Sequence, residues 1–270
     1  MSNVQTTNKT PSPVDRLKNV LNAQSIQEQF KNALKDNSSL FVASLIDLYN
    51  GDKYLQECQP QQVVIEALKA ATLKLPINKA LGFAYIVPFK NKGVPTPTFI
   101  LGYKGYIQLA MRTGMYRYLN ADLVYEGEYK GFNKLTGEVD LTGEAKSEDV
   151  IGYFAHMEML NGFKKTVYWN KEKVMAHAKR FSKSFHKDTS PWHTNTDEMA
   201  MKTVVRNLLS KFGFLSVEMM NAVANDIAAD ERDPEKEADS AIAMNANTET
   251  IDIEPISSEP EPQSAPGPDF

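Results

Sequence analysis

The sequence is short of cysteine and of long apolar runs, and each absence narrows what it can be. Cys58 is the only cysteine among 270 residues, so an internal disulfide and a cysteine-based zinc site are excluded. Cys58 itself reads as an ordinary buried residue. The four histidines, His156, His177, His186 and His193, lack the paired spacing of metal ligands on a helix. Nowhere do 18 apolar residues run together, and "MSNVQTTNKTPSPVDR" has no signal-peptide pattern. Neither membrane insertion nor secretion is therefore indicated, and the cytoplasm is the expected compartment. Enzyme signatures are missing as well. There is no G-x-x-x-x-G-K-[ST], which disfavours an ATP-driven P-loop motor, and no G-x-S-x-G elbow or H-E-x-x-H helix.

Acidic residues are absent from one long stretch. Residues 67–121 hold eight Lys/Arg and no Asp or Glu, residues 122–158 run to −6, and residues 159–225 return to +6. The overall charge of −4 hides this sorting, because residues 226–270 carry 13 acids against 2 bases. Residues 1–225 therefore form a body of charge +7 joined to a tail of −11. Charge sorted into blocks is a statement about partners.

The 42% hydrophobic content suffices for a sizeable core. Residues 1–24 are polar and read as a flexible arm, residues 25–225 as the folded core, and residues 226–270 as a disordered acidic tail. Ser25 with Glu28 has the pattern of a capping box. A second helix, "SSLFVASLIDLYN", should end before Gly51, and a third should open at Pro60 with a stripe of Val64, Ala67/Leu68 and Ala71. Alternation of Phe83, Tyr85, Val87 and Phe89, followed by "NKGVP" and "TFIL", predicts a β-hairpin. Lys104 to Thr113 reads as a helix closed by Gly114, followed by strands in "YLNADLVYEGEY", "GEVDL" and "VIGYFAHMEML". Asn161-Gly162 between β-rich runs fits a type I′ hairpin turn. Two helices finish the core, one after Asn170 through about Ser182 and one from about Asp197 to Phe212, capped by Asn195 or Thr196 at its start and by Gly213 at its end. The fold class is α+β: a small mixed or antiparallel sheet with hairpins, packed by helices.

On the Lys104 helix, Lys104, Gln108 and Arg112 recur every fourth residue and share one face, spanning roughly 12 Å. Ile107, Ala110, Met111 and Tyr106 would anchor the other face. Arg117 lies just beyond. The last core helix has a wet stripe of Glu198, Lys202, Arg206 and Ser210, with Met201, Val205, Leu208 and Phe212 buried. "NKEKVMAHAKRFSKSFHK" adds Lys171, Lys173, Lys179, Arg180, Lys183 and Lys187 against Glu172 alone. With the hairpin cations Lys79, Lys90 and Lys92, these would wall a basic groove for a row of phosphates. A basic stripe on one helix is usually a solvated face; three clusters with almost no acids between them favour nucleic acid. For Tyr103, Tyr106, Tyr116 and Tyr118, core packing ranks ahead of base stacking, and Trp192 reads as a plug over a loop.

A metal-dependent nuclease would need clustered carboxylates, and Asp122, Glu126, Glu128, Glu138, Asp140 and Glu158 are the acids available to it. No signature groups them. The acidic block reads better as the face that meets the basic edge of another subunit, head to tail.

"FILGYKGYIQLAMRTGMY", "ADLVYEGE", "PW" and "EMAMKTVVRNLLSK", in this order, resemble the RecT family of phage and prophage single-strand annealing proteins. The likeness covers about residues 25–225 and leaves the acidic tail outside. It implies a recombination protein without a catalytic site that binds single-stranded DNA and anneals it to a complementary strand, holding the annealed duplex, without ATP. It also implies a homo-oligomer, as a ring or helical filament, and a partner 5′ to 3′ exonuclease in a bacterial host. No cofactor is required, while an effect of Mg²⁺ on annealing stays open. Tyr103, Lys104, Arg112 and Arg117 match the first motif, and Lys202 and Arg206 the second; the resemblance implies that they line the DNA groove. The tail reads either as solvating chain or as a docking strip for the nuclease or a host single-strand binding protein. Simple protection of single strands is the remaining alternative.

Overall fold

The protein is described by a computed structural model over residues 11–91, 93–182, 184–188, 190–214 and 216–231. Its order begins before Ser25. Helix α1 (Pro13–Leu21) opens on a reciprocal cap, in which the Asp15 N–H donates to Ser12 Oγ at 3.1 Å and the Ser12 N–H donates to the Asp15 carboxylate at 3.3 Å. Leu17 and Leu21, one turn apart, are buried, so residues 12–24 belong to the core rather than to a flexible arm. That correction removes the expected capping box at Ser25. Helix α2 (Gln24–Leu34) is entered from Ala23, which puts Ser25 already inside the first turn, and Glu28 instead accepts from Gln24 Nε2 at 2.9 Å.

Helix α3 (Ser38–Gly51) buries Phe41, Leu45 and Tyr49 at successive turns and runs through Gly51. Helix α4 (Pro60–Thr72) opens on Pro60, as its fixed φ favours, and buries Val63, Val64, Ala67, Ala70 and Ala71. It leaves through a Schellman motif: Leu75 N–H donates to Ala70 O at 3.0 Å and Lys74 N–H to Ala71 O at 2.9 Å, with Lys74 at φ 52°.

Strands β1 (Ala84–Asn91) and β2 (Val94–Leu101) form the expected hairpin. The alternation of Phe83, Tyr85, Val87 and Phe89 located the strand but not its core face, since Ala84 and Ile86 are the residues fully buried. A two-stranded sheet has two open edges that need protection. Proline blunts them, with Pro88 opposite Pro97 and Pro95 opposite Lys90. Glu66 of α4 covers a further donor, accepting the Phe99 N–H at 2.8 Å.

Helix α5 (Tyr103–Arg112) follows, then β3 (Tyr116–Tyr125), the short hairpin of β4 (Gly131–Asn133) and β5 (Glu138–Asp140), β6 (Val150–Met159) and β7 (Lys164–Asn170). Helices α6 (Lys171–Phe181), α7 (Pro191–Thr194), α8 (Thr196–Phe212) and α9 (Val217–Glu231) complete the described chain. Strands β3, β6 and β7 make a three-stranded antiparallel sheet with β6 central. Helix α8 packs on this sheet and on α5, and α9 packs on α5 and β2. The architecture is α+β, with antiparallel pairing in every described ladder.

Two sequence expectations need correction here. The β6–β7 connection is a hairpin, but Gly162 alone has a left-handed φ, of 86°, and its N–H donates to Met159 O at 3.0 Å. Those features make it a three-residue loop with a type I turn and a glycine bulge, not a type I′ turn. The boundary at residue 225 is also wrong. Helix α9 crosses it with Met219, Ala222 and Asp226 buried, and Ser216 Oγ caps its start by accepting from Met219 N–H at 3.2 Å. The tail from residue 232 onward lies outside the described residues.

The glycines of "GYKG" are packing residues. A Cβ on Gly102 would lie 2.1 Å from Gly82 O, and one on Gly105 would lie 2.2 Å from Phe83 O and 2.6 Å from Leu101 Cδ1. Backbone cannot retreat as a flexible side chain can, so only glycine lets the first turn of α5 sit on residues 82–83. Gly105→Ala is expected to reduce stability by about 2 kcal/mol, the scale of overpacking a close-packed core. Urea unfolding measures it, and an unchanged midpoint would contradict this packing.

Candidate nucleic-acid interface

The first turn of α5 exposes Lys104, whose ammonium lies 5.9 Å from the centre of the half-buried Tyr103 ring. Helix α6 displays the densest run of cations. Asn170 caps it by accepting from Lys173 N–H at 2.9 Å, Val174 and Ala178 are buried, and Lys171, Lys173, Lys179 and Arg180 are all exposed. Lys173 sits 4.5 Å from the Trp169 ring centre and Arg180 5.0 Å from that of Phe181. Aromatic faces hold these long side chains without neutralising them. Among the described residues, Lys104, Lys171, Lys173, Lys179 and Arg180 have no carboxylate partner. Lys90 is exposed on β1. Lys92 and Lys183 lie outside the described residues.

Other cations expected in the groove are tied to the protein itself. Arg112 donates to Leu73 O at 2.7 Å and to Lys74 O at 2.9 Å, closing the C-terminal end of α4. It therefore does not form a free ridge with Lys104. The negative end of the helix dipole makes that terminus a natural site for a guanidinium. Arg117 and Lys164 flank Glu158 at 3.0 and 2.9 Å. Hydrogen bonding from Lys164 and the two positive charges hold that carboxyl below its ordinary range. Lys79 pairs with Asp52 at 2.7 Å.

Lys202 and Arg206 depart furthest from the expected wet stripe. Both turn inward toward Asp226 of α9, Lys202 at 2.6 Å and Arg206 at 3.1 Å, while Tyr106 Oη donates to the same carboxylate at 2.8 Å. The Lys202 side chain is 7% exposed and that of Asp226 1%. Burial pushes the Asp226 pKa up, but the charges of Lys202 and Arg206 and the hydrogen bonds from Lys202 and Tyr106 outweigh it, holding the carboxyl below its ordinary value of 3.8. The outer positions of α8 also differ from expectation: Phe212 is exposed and Met201 only half-buried, while Val205 and Leu208 are in the core. On α5, Met111 is exposed although Tyr106 and Ala110 are buried.

The family model for the RecT family matches residues 39–242. The chain belongs to the RecT family. The match runs past residue 225, so part of the segment assigned to the tail belongs to it. The chain is 45% identical over 241 residues to the uncharacterized protein YqaK of Bacillus subtilis (strain 168), covering 88% of this chain and 80% of that protein. It is 30% identical over 178 residues to Protein RecT of Escherichia coli (strain K12), covering 64% of this chain and 65% of that one. RecT membership supports a single-strand annealing role in recombination.

In this RecT protein several acids of residues 122–158 have local structural work. Glu128 accepts the Tyr125 N–H at 2.6 Å, Glu126 accepts from Ser147 Oγ at 3.1 Å, and Asp140 accepts from Thr142 N–H at 2.9 Å. Among the described residues no three His, Cys, Asp or Glu side chains are grouped to hold a metal ion, and no helix is long and apolar enough to cross a membrane. Tyr106 and Tyr116 are core residues; Tyr116 Oη accepts from Phe214 N–H at 2.7 Å, whereas Tyr118 is 62% exposed. Trp192 is buried, as a plug. Asp226 was missed because it fell among the tail's acids. Its spacing from Met219, Ala222 and Val223 gave the helical signal that could have found it.

Removing the carboxylate should leave the buried Lys202 ammonium without its counter-charge. Asp226→Asn is expected to reduce stability at pH 7 by about 3 kcal/mol. Because the folded-state pKa lies below the unfolded one, this contribution is present above pH 3.8 and is lost as pH falls through the lower folded value. Urea titrations from pH 7 to 2 should show the variant lacking that part of the acid loss; parallel curves would contradict it.

Proposed function

We propose that this RecT protein is an ATP-independent single-strand annealing protein that grips DNA through its phosphates. The observation that supports the reading best is the set of exposed cations on α5 and α6 with no carboxylate partner among the described residues. Two complementary strands repel through their backbones. A surface that neutralises them while leaving base edges open lowers the barrier to pairing, and pairing supplies the free energy. No nucleotide cofactor is needed for such a step. Contacts go to phosphate and sugar, so binding is indifferent to sequence and falls steeply with salt.

Lys104, Lys171, Lys173, Lys179 and Arg180 are the proposed phosphate contacts, with Lys90 on the hairpin as an outlying one. Lys202, Arg206 and Arg112 serve instead to hold the helices that present them. The protein acts as a homo-oligomer on DNA, its acidic block of residues 122–158 meeting the basic face of a neighbour. Each bound subunit then offers the next both a protein face and adjacent strand, which gives cooperative binding. A 5′ to 3′ exonuclease supplies the single strands.

Fluorescence anisotropy with oligonucleotides of unrelated sequence tests this directly. Lys104→Glu and Lys179→Glu should each weaken binding to all of them alike, by about tenfold at low salt, and reduce the slope of log Kd against log salt by about one. Wild-type protein should speed pairing of two complementary strands without ATP. Loss confined to some sequences, or pairing blocked rather than sped, would overturn the reading.

A further inference from the structure

Between the loop after β3 and the start of α6 lies an open cleft of about 960 Å³. Its wall is aromatic and ordered. Tyr129 and Tyr168 stack with ring centres 4.6 Å apart and planes 17° from parallel. Behind them, the edge of the Tyr168 ring lies over Gly152, where a Cβ would come within 2.5 Å of the ring and 2.7 Å of its hydroxyl. Glycine at that position of β6 is what allows the tyrosine to lie down against the sheet. Phe132, 56% exposed, stands at the same cleft. Lys171, Glu172 and Lys173 line it as well, and Asn170 adds a side-chain amide whose oxygen is already committed to the helix cap.

We infer that this cleft takes one unstacked base of a bound single strand, its ring on the tyrosine platform and its flanking phosphate on Lys171 and Lys173. The inference rests on the single-strand-binding reading above and names a contact which that reading does not require. Three features favour a nucleotide over an apolar peptide. A stacked tyrosine pair presents a flat outer ring face on which a base can continue the stack. The cations outnumber the one acid and have no carboxylate partner among the described residues. Aromatic rings beside lysines meet both halves of a nucleotide, and stacking accepts any base because each has a π-face. Parking one base per subunit would interrupt self-pairing of the strand while its other bases stay available to a complement.

The test uses the full chain and an oligonucleotide bearing 5-iodouracil, irradiated and mapped by peptide mass spectrometry. Crosslinks are expected at Tyr129, Phe132 or Tyr168. Tyr129→Leu and Phe132→Ala should each raise Kd about five- to tenfold, with the salt slope unchanged because no phosphate contact is lost. Tyr129→Trp should restore affinity. The exposed Phe132 ring can be removed without disturbing the fold, so that variant decides the matter if Tyr129→Leu does not fold. Wild-type Kd in Phe132→Ala, with crosslinks mapping elsewhere, overturns the base site and leaves the phosphate-binding reading standing. A changed oligomeric state with unchanged DNA affinity would make the cleft a protein contact and also overturn it. Failure of the wild-type chain to bind any single strand overturns both.

Discussion

A single buried carboxylate organises the described C-terminal half of this protein. Asp226 on α9 receives Lys202 and Arg206 from α8 and Tyr106 from α5, so three helices meet at one charged point. A buried carboxylate with one partner would be a liability, because desolvation exceeds what a lone ion pair returns. With two cations and a hydroxyl the group is satisfied, and among the described residues no buried side-chain nitrogen or oxygen lacks a partner. The arrangement also fixes where α9 lies, since helix register along α8 is set by which residue reaches the lysine.

That node divides the basic residues into two populations. Inner cations close the structure: Lys202 and Arg206 on Asp226, and Arg112 on the carbonyls that end α4. Outer cations are exposed, with the charged heads of Lys104, Lys173 and Arg180 near tyrosine, tryptophan and phenylalanine rings. Desolvation separates the two sets physically. A lysine already buried against a carboxylate has no charge to offer a phosphate without first unpacking a helix, whereas a hydrated ammonium on α6 needs only to release counterions. In the proposed function the outer set contacts DNA while the inner one holds the scaffold.

Sequence periodicity found most of the elements. Pro60, Asn170 and Gly213 mark helix ends that the structure confirms, and the charge of α6 is visible directly in "KEKVMAHAKR". What failed was inference from the mean character of a segment. Residues 12–24 are polar on average, yet Leu17 and Leu21 at one-turn spacing suffice to dock α1. Asp226 is one acid among many, and partners distant in sequence, Lys202, Arg206 and Tyr106, make it a core residue. Helical spacing likewise put Lys202 on a wet stripe, because a helix periodicity counts polar residues as outward and cannot see that another helix will supply the counter-charge. The Tyr129–Tyr168 stack was invisible for the same reason: its rings come from separate segments, and the Tyr168 ring lies against Gly152.

The division between inner and outer cations is open to one direct measurement. Replacing the cluster with apolar residues, as Lys202→Met, Arg206→Leu and Asp226→Leu with Tyr106→Phe, removes both motif cations together with the carboxylate they share. The salt dependence of single-strand affinity is then compared with that of the wild-type protein. A folded variant with an unchanged slope is the predicted result. A folded variant whose slope falls by about two, as though two phosphate contacts had been lost, would show that the motif cations themselves hold the DNA and would contradict the account.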